Sequence, residues 1–161
     1  MLIYNFPQVT GVDLAAELVV QLSAHPNIVG IKESSGNIEK VATMVNQTPA
    51  TFQILVGSAP TLYPNLCMGA VGAILAFANP AAQACQDIYT AWKSGDHAKA
   101  LAAQRHIAKA SAITGPKHGI AGLKHAMDLN GYYGGPVRLP LLPLSPAAKT
   151  EVEELFRDIP A

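Results

Sequence analysis

Charge is scarce in this sequence. Lysine plus arginine number 11, aspartate plus glutamate 11, and charged residues make up 14% of the 161, against roughly 25% in an average soluble domain. The formal net charge is zero. Such a chain lacks the basic face that would displace counterions from phosphates, which excludes a nucleic-acid partner. No apolar run reaches the roughly 18 residues that a spanning helix needs, so no membrane partner is expected. Met1 leads into Leu2-Ile3-Tyr4 with no basic stretch before an apolar one, so no secretory leader is expected. The expected compartment is the cytoplasm, or an organelle if a transit segment precedes Met1. Cys67 and Cys85 are isolated thiols without metal-type spacing, expected as small buried hydrophobes rather than a disulfide. The histidines at 25, 97, 106, 118 and 125 show no spacing for a metal site, and none is expected. Gly-x-Gly-x-x-Gly, P-loop and Gly-x-Ser-x-Gly patterns do not occur, so nucleotide binding and serine-hydrolase chemistry have no anchor.

Apolar residues, by contrast, make up 50% of the chain. With so few solvating side chains, much of the surface is expected to meet other protein, and a homo-oligomer is the expected state. The length suits one domain with a sizeable core.

The period of the apolar residues alternates between strand and helix. Leu2 to Phe6 is a short run of strand formers closed by Pro7. After Thr10-Gly11, Asp13 is placed to cap a helix in which Leu14, Leu18 and Leu22 recur at spacing four. Ile28 to Lys32 is a second strand, followed by Ser34-Ser35-Gly36-Asn37 and a helical stripe of Ile38, Val41 and Val45. Phe52 to Val56 is a third strand, and Gly57-Ser58 leads into a short helix around Thr61 to Met68 that Pro64 must lie near the start of or kink. Val71 to Phe77 is a fourth, with Asn79-Pro80 expected to cap and open a helix to about Trp92. Helical text then runs from about Asp96 to Ile113 and from Lys117 to Leu129. Gly131 to Leu144 is a wrapped loop, and Ser145-Pro146 opens a last helix to about Arg157. Four strand-then-helix units demand parallel pairing with right-handed crossovers, so the class is α/β. The expected organisation is one domain, 1–161, with four βα units over 1–93 and a helical extension over 94–161.

Two residues stand out chemically. Lys32 ends an apolar strand and shares a face with Ile28 and Gly30. If that face is a dry interior, its amine is desolvated and able to attack a carbonyl, forming a Schiff base. A lysine at a strand end can equally snorkel to water. Tyr4 shares a face with Leu2 and Phe6, where its phenol could relay protons or serve as a core tyrosine with its hydroxyl satisfied. Arg138 is expected as an ion-pair partner or carbonyl clamp, Lys117 and Lys124 as a solvated stripe, and His118 and His125 as sharing a helix face.

Several phrases occur in order and register: Tyr4-Asn5-Phe6-Pro7 with Thr10-Gly11; Gly30-Ile31-Lys32-Glu33-Ser34-Ser35-Gly36-Asn37; Gly57-Ser58; Gly72-Ala73-Ile74 to Ala78-Asn79. Together with the tail Gly119 to Lys124 and Gly131 to Pro140, they resemble the dihydrodipicolinate synthase and N-acetylneuraminate lyase family over essentially every residue present. The resemblance implies a partial TIM (β/α)8 barrel, its strands equivalent to the fifth to eighth of the family fold, plus C-terminal helices. It implies a class I aldolase or lyase acting on a pyruvate-type 2-oxo acid without metal or organic cofactor. Lys32 falls on the family's imine-forming lysine and Tyr4 on its proton-relaying tyrosine. Gly57, Ser58 and Ile74 fall where the substrate pocket is lined, Gly57 and Ile74 through main-chain groups.

Two departures qualify this expectation. Synthases that accept aspartate semialdehyde carry an arginine five positions after the tyrosine to bind the second carboxylate, and here that residue is Val9. The resemblance therefore tilts toward 4-hydroxy-2-oxoglutarate or 2-keto-3-deoxy sugar-acid aldolases. The family's first four strands are absent from this sequence, and with them the threonine pair that holds the 2-oxo acid's carboxylate and the tyrosine from a neighbouring subunit. Impaired catalysis is expected of the chain alone. The competing reading is a non-catalytic oligomeric half-barrel or scaffold.

Overall fold

The computed structural model describes residues 1–115 and 117–161. The chain forms two compact units, Met1–Leu75 and Ala76–Ala161.

In the first unit, strands β1 (Leu2–Asn5), β2 (Gly30–Glu33), β3 (Gln53–Val56) and β4 (Gly72–Ala73) form one parallel sheet in chain order. Between β1 and β2 lie the short helix α1 (Pro7–Thr10) and helix α2 (Ala16–Leu22); α3 (Ile38–Gln47) joins β2 to β3, and a 3-10 turn (Ala59–Thr61) with α4 (Leu62–Cys67) joins β3 to β4. Local chemistry explains the boundaries. Pro7 sits in the first turn of α1, where its missing N–H would have no partner anyway, and Gly11 ends it in the left-handed region at φ 70°. The Asn37 side chain accepts from the Lys40 amide and caps α3. Pro64 lies in the first turn of α4, as the sequence requires.

The core of this unit lies on one side of the sheet, where Ile31, Ile54 and Val56 meet the buried Val19, Val41, Met44, Leu62 and Leu66. Each buried aliphatic side chain stabilises by about 1.5–3 kcal/mol.

Helices of the second unit are α5 (Ala82–Lys93), α6 (His97–His106), α7 (Gly119–Leu129) and α8 (Pro146–Phe156), with 3-10 turns at Ala76–Ala78 and Ala110–Thr114. Its core includes Phe77, Ile88, Ile107, Ile113, Leu123, Val152 and Phe156, the Phe77 and Phe156 rings being 5.8 Å apart. Asp96 caps α6 and Ser145 caps α8 through side-chain oxygens. His118 and His125 do share a face, and both meet α8: their Nε2 atoms lie 2.9 Å from Glu151 and 3.4 Å from Glu153.

Several local expectations are corrected. Asp13 does not cap α2, whose N-cap is Ala15, because its carboxylate is engaged by Lys40 and Asn5. Asn79 does not cap α5, which starts two residues beyond Pro80 with Ala81 as N-cap; its amide closes the preceding turn on the Ala76 carbonyl. The fourth strand is two residues long rather than seven, since the chain coils into a 3-10 turn at Ala76. Cys67 is exposed while Cys85 is buried, because α4 turns Leu62 and Leu66 inward and leaves the next position outward. Lys124 is half-buried and clamps the Gly134 carbonyl, the role expected of Arg138, which is exposed. Lys117 pairs with Glu151 at 2.8 Å.

Candidate active site

Parallel register fixes the centre of the site. Tyr4 lies directly opposite Lys32, Lys32 opposite Leu55, and Leu55 opposite Gly72, so these four residues form a row across all four strands on one face. Lys32 is the charged member of the row. Its Nζ sits 4.0 Å from the centroid of the Tyr4 ring, a cation–π contact, and that ring stacks on Phe6 with centroids 5.8 Å apart. Gly30, on the same face, is required by close approach: a Cβ there would lie 2.2 Å from the Gln53 carbonyl oxygen.

The ladder continues one step past the strand ends. Ser34 donates its amide to Asn5 O at 2.9 Å, Gly57 to Glu33 O at 2.7 Å, and Ile74 to Val56 O at 2.9 Å. Two residues beyond the Lys32 row, alternation returns Ser34, Gly57 and Ile74 to the Lys32 face. The amides of Gly57 and Ile74 are thereby committed to backbone acceptors. Ser34 Oγ is buried and, among the described residues, has no hydrogen-bond partner; it occupies the space that a Gly57 Cβ would need, 1.8 Å away. Ser58 is half-buried, and its carbonyl accepts from the Thr61 amide at 3.2 Å.

Among the described residues of the first unit, the dry surroundings expected for Lys32 are not built. Lys32 is half-buried, while Tyr4 is 53% exposed, Ile74 46% and Leu2 40%. The helices of this unit cover only the opposite face, so the row carrying Lys32 and Tyr4 is open.

That opposite face holds a network the sequence reading missed. Asn5, also directly across from Glu33, donates from Nδ2 to both carboxylate oxygens of Glu33, at 3.0 and 2.9 Å, and to Asp13 at 2.8 Å. Its Oδ1 accepts from the Leu14 amide. Glu33 also accepts from the Ser35 amide at 2.6 Å, and Lys40 bridges Glu33 at 3.1 Å and Asp13 at 2.5 Å. The Lys40 ammonium and the Asn5 amide hold the Asp13 carboxyl below its ordinary range. The available signal was alternation: Asn5 and Glu33 follow Tyr4 and Lys32 directly, so they face the covered side, where a polar group needs a partner.

A cleft of about 820 Å³ in the second unit is lined by Arg105, His106, Lys109, Lys117, His118 and Glu151, among others, and contains none of the expected site residues.

Comparison with known proteins places the chain in a class. Residues 1–159 match the dihydrodipicolinate synthetase family, and the chain belongs to that family. It is 35% identical over 156 residues to the 4-hydroxy-tetrahydrodipicolinate synthase of Methanosphaerula palustris, an alignment covering 94% of this chain and 54% of the relative. Among solved structures it superposes on dihydrodipicolinate synthase DapA-2 of Bacillus anthracis with a TM-score of 0.91 at 25% identity, covering 99% of this chain and 55% of the other. With YagE, a prophage protein of the dihydrodipicolinic acid synthase family from E. coli K12 solved in complex with pyruvate, the TM-score is 0.87 at 29% identity, covering 97% and 54%. The chain therefore spans about half the length of the relatives it matches, and its α/β fold is a partial TIM barrel.

Proposed function

We propose that this chain carries the imine-forming half of a lyase that cleaves or condenses pyruvate-type 2-oxo acids. The observation that carries the reading is the pairing of Lys32 Nζ with the Tyr4 ring at 4.0 Å on one face of the sheet; the pyruvate-bound relative supports it. In the proposed chemistry the neutral Lys32 amine attacks the ketone carbon and water leaves, giving a protonated Schiff base. That iminium draws electrons from the bond to the next carbon, so a C3 proton departs to give an enamine, or the C3–C4 bond breaks in the cleavage direction. Tyr4 ferries the proton between the carbinolamine oxygen and the departing or arriving hydroxyl. Gly57, Ser58 and Ile74 line the substrate's path, and no metal or organic cofactor takes part. Val9 offers no cation to a second carboxylate, which favours 4-hydroxy-2-oxoglutarate or 2-keto-3-deoxy sugar acids over aspartate semialdehyde. The chain alone is impaired, because the open face leaves the 2-oxo acid without the positioning that supplies several kcal/mol.

Borohydride reduction of the chain with pyruvate is expected to leave a reduced pyruvyl group on the peptide containing Lys32, and Lys32→Arg to abolish it. A folded chain that gives no adduct overturns the reading.

The open face favours a second reading, a half-barrel whose role is assembly. Its strand edges at β1 and β4 and its exposed Leu2, Tyr4 and Ile74 suit a homo-oligomer. The free thiols Cys67 and Cys85 suit a reducing compartment such as the cytoplasm.

A further inference from the structure

We propose that the Asn5–Glu33 pair is the positioning device of the candidate site, a cross-strand tie on the covered face that holds Tyr4 and Lys32 together on the open one. The proposal rests on the reading of Lys32 as the imine-forming residue. Asn5 follows Tyr4 and Glu33 follows Lys32, and the two pairs occupy consecutive register positions of the same strand pair. Whatever fixes one pair therefore fixes the backbone that carries the other. Asn5 is 2% exposed and Glu33 3%. With one Nδ2 hydrogen turned to Asp13, the other is shared between both oxygens of the Glu33 carboxylate, and a bond to a charged acceptor is about twice as strong as a neutral one.

The tie also reaches the loops that leave each strand. Asn5 Oδ1 holds the Leu14 amide after β1, Glu33 holds the Ser35 amide after β2, and Lys40 of α3 joins both carboxylates from the helix layer. On the other side, the first unit lays no helix over the row that bears Tyr4 and Lys32, where Tyr4 is 53% exposed. Among the described residues the cation–π contact is what keeps the ammonium over the ring, so the setting of the strand ends from beneath governs it.

Two measurements on the full chain separate this inference from the reading beneath it. The first is reductive methylation of Lys32 relative to exposed Lys149, read by mass spectrometry and needing no substrate. Asn5→Leu, which deletes the tie at similar volume, is expected to raise the Lys32 to Lys149 ratio about threefold, the factor to which loss of a partly exposed cation–π contact corresponds. Glu33→Gln, which keeps an acceptor for Asn5, is expected to give a smaller rise. Met44→Ala, a destabilising change elsewhere in the same unit, is expected to leave the ratio unaltered, whereas a merely structural role for Asn5 would make the two variants behave alike. The second is the rate of borohydride-trapped pyruvate adduct at saturating pyruvate, expected to fall about tenfold in Asn5→Leu. An unchanged labelling ratio in folded Asn5→Leu overturns the positioning role, whether or not the parent forms an adduct. A raised ratio with no adduct in the parent leaves the tie standing and overturns the imine reading instead.

Discussion

Lys32 and Tyr4 meet because two four-residue strands pair in register, and each has a neighbour of opposite character one position on. The proposed chemistry separates the Tyr4 ring from its hydroxyl. Tyr4→Phe keeps the surface over which the Lys32 ammonium sits, so the Lys32 labelling ratio should hold, while the pyruvate trapping rate should fall by about 10²-fold for want of a proton relay. In the network beneath, Lys40 is 7% exposed at its side chain and faces Glu33, 1% exposed. Lys40→Ala leaves a buried carboxylate without its cation, and denaturant unfolding should show a loss of about 3 kcal/mol. Asp13 gives a pH signature. Its carboxyl is lowered from the ordinary 3.8, so the folded state binds its proton less readily than the unfolded chain. Its contribution is complete above pH 3.8 and disappears as pH falls through the lower folded value. The stability difference between the parent and Asp13→Asn should accordingly be constant at neutral pH and shrink as the solution is acidified below pH 4.

Elements were legible where a short-range rule governs them. The sites of β1, β2 and β3, the site of α3, Pro64 in the opening turn of α4 and the Ser145-Pro146 start of α8 all follow from period and capping chemistry, though of the expected α3 stripe Ile38, Val41 and Val45 only Val41 is buried, beside Lys40 and Met44. Capping misled at Asp13 and Asn79, since a side chain that suits an N-cap also suits any other donor, and Lys40 and the Ala76 carbonyl are distant or unforeseen partners. The glycine after β3 is a packing requirement that no local pattern reveals. A Cβ on Gly57 would fall 1.8 Å from Ser34 Oγ and 3.0 Å from the Glu33 carbonyl oxygen. Gly57→Ala should therefore cost about 1–3 kcal/mol in denaturant unfolding, by overpacking the junction of β2 and β3.

At the scale of the whole chain, the open sheet face is the dominant physical fact. A parallel sheet is ordinarily covered on both faces, and the first unit covers one. The exposed face joins apolar side chains to two strand edges, β1 and β4, that are unpaired among the described residues, a combination that favours association. Sedimentation is expected to show self-association of the parent chain, weakened by the single change Ile74→Asp, which puts a charge on that face. A parent that sediments as a monomer at every concentration would remove the assembly reading.

By itself the sequence determined the succession of strands and helices and the α/β class, because periodicity and capping act over a few residues, while Lys32 and Tyr4 entered as candidates through the resemblance of their surrounding phrases to a known family. Tertiary structure alone decided which residues stand opposite one another. It set Lys32 over the Tyr4 ring, tied Asn5 to Glu33 on the reverse face, and left the candidate site open to solvent rather than dry. Register and burial depend on contacts between segments more than twenty residues apart, and no local propensity encodes them.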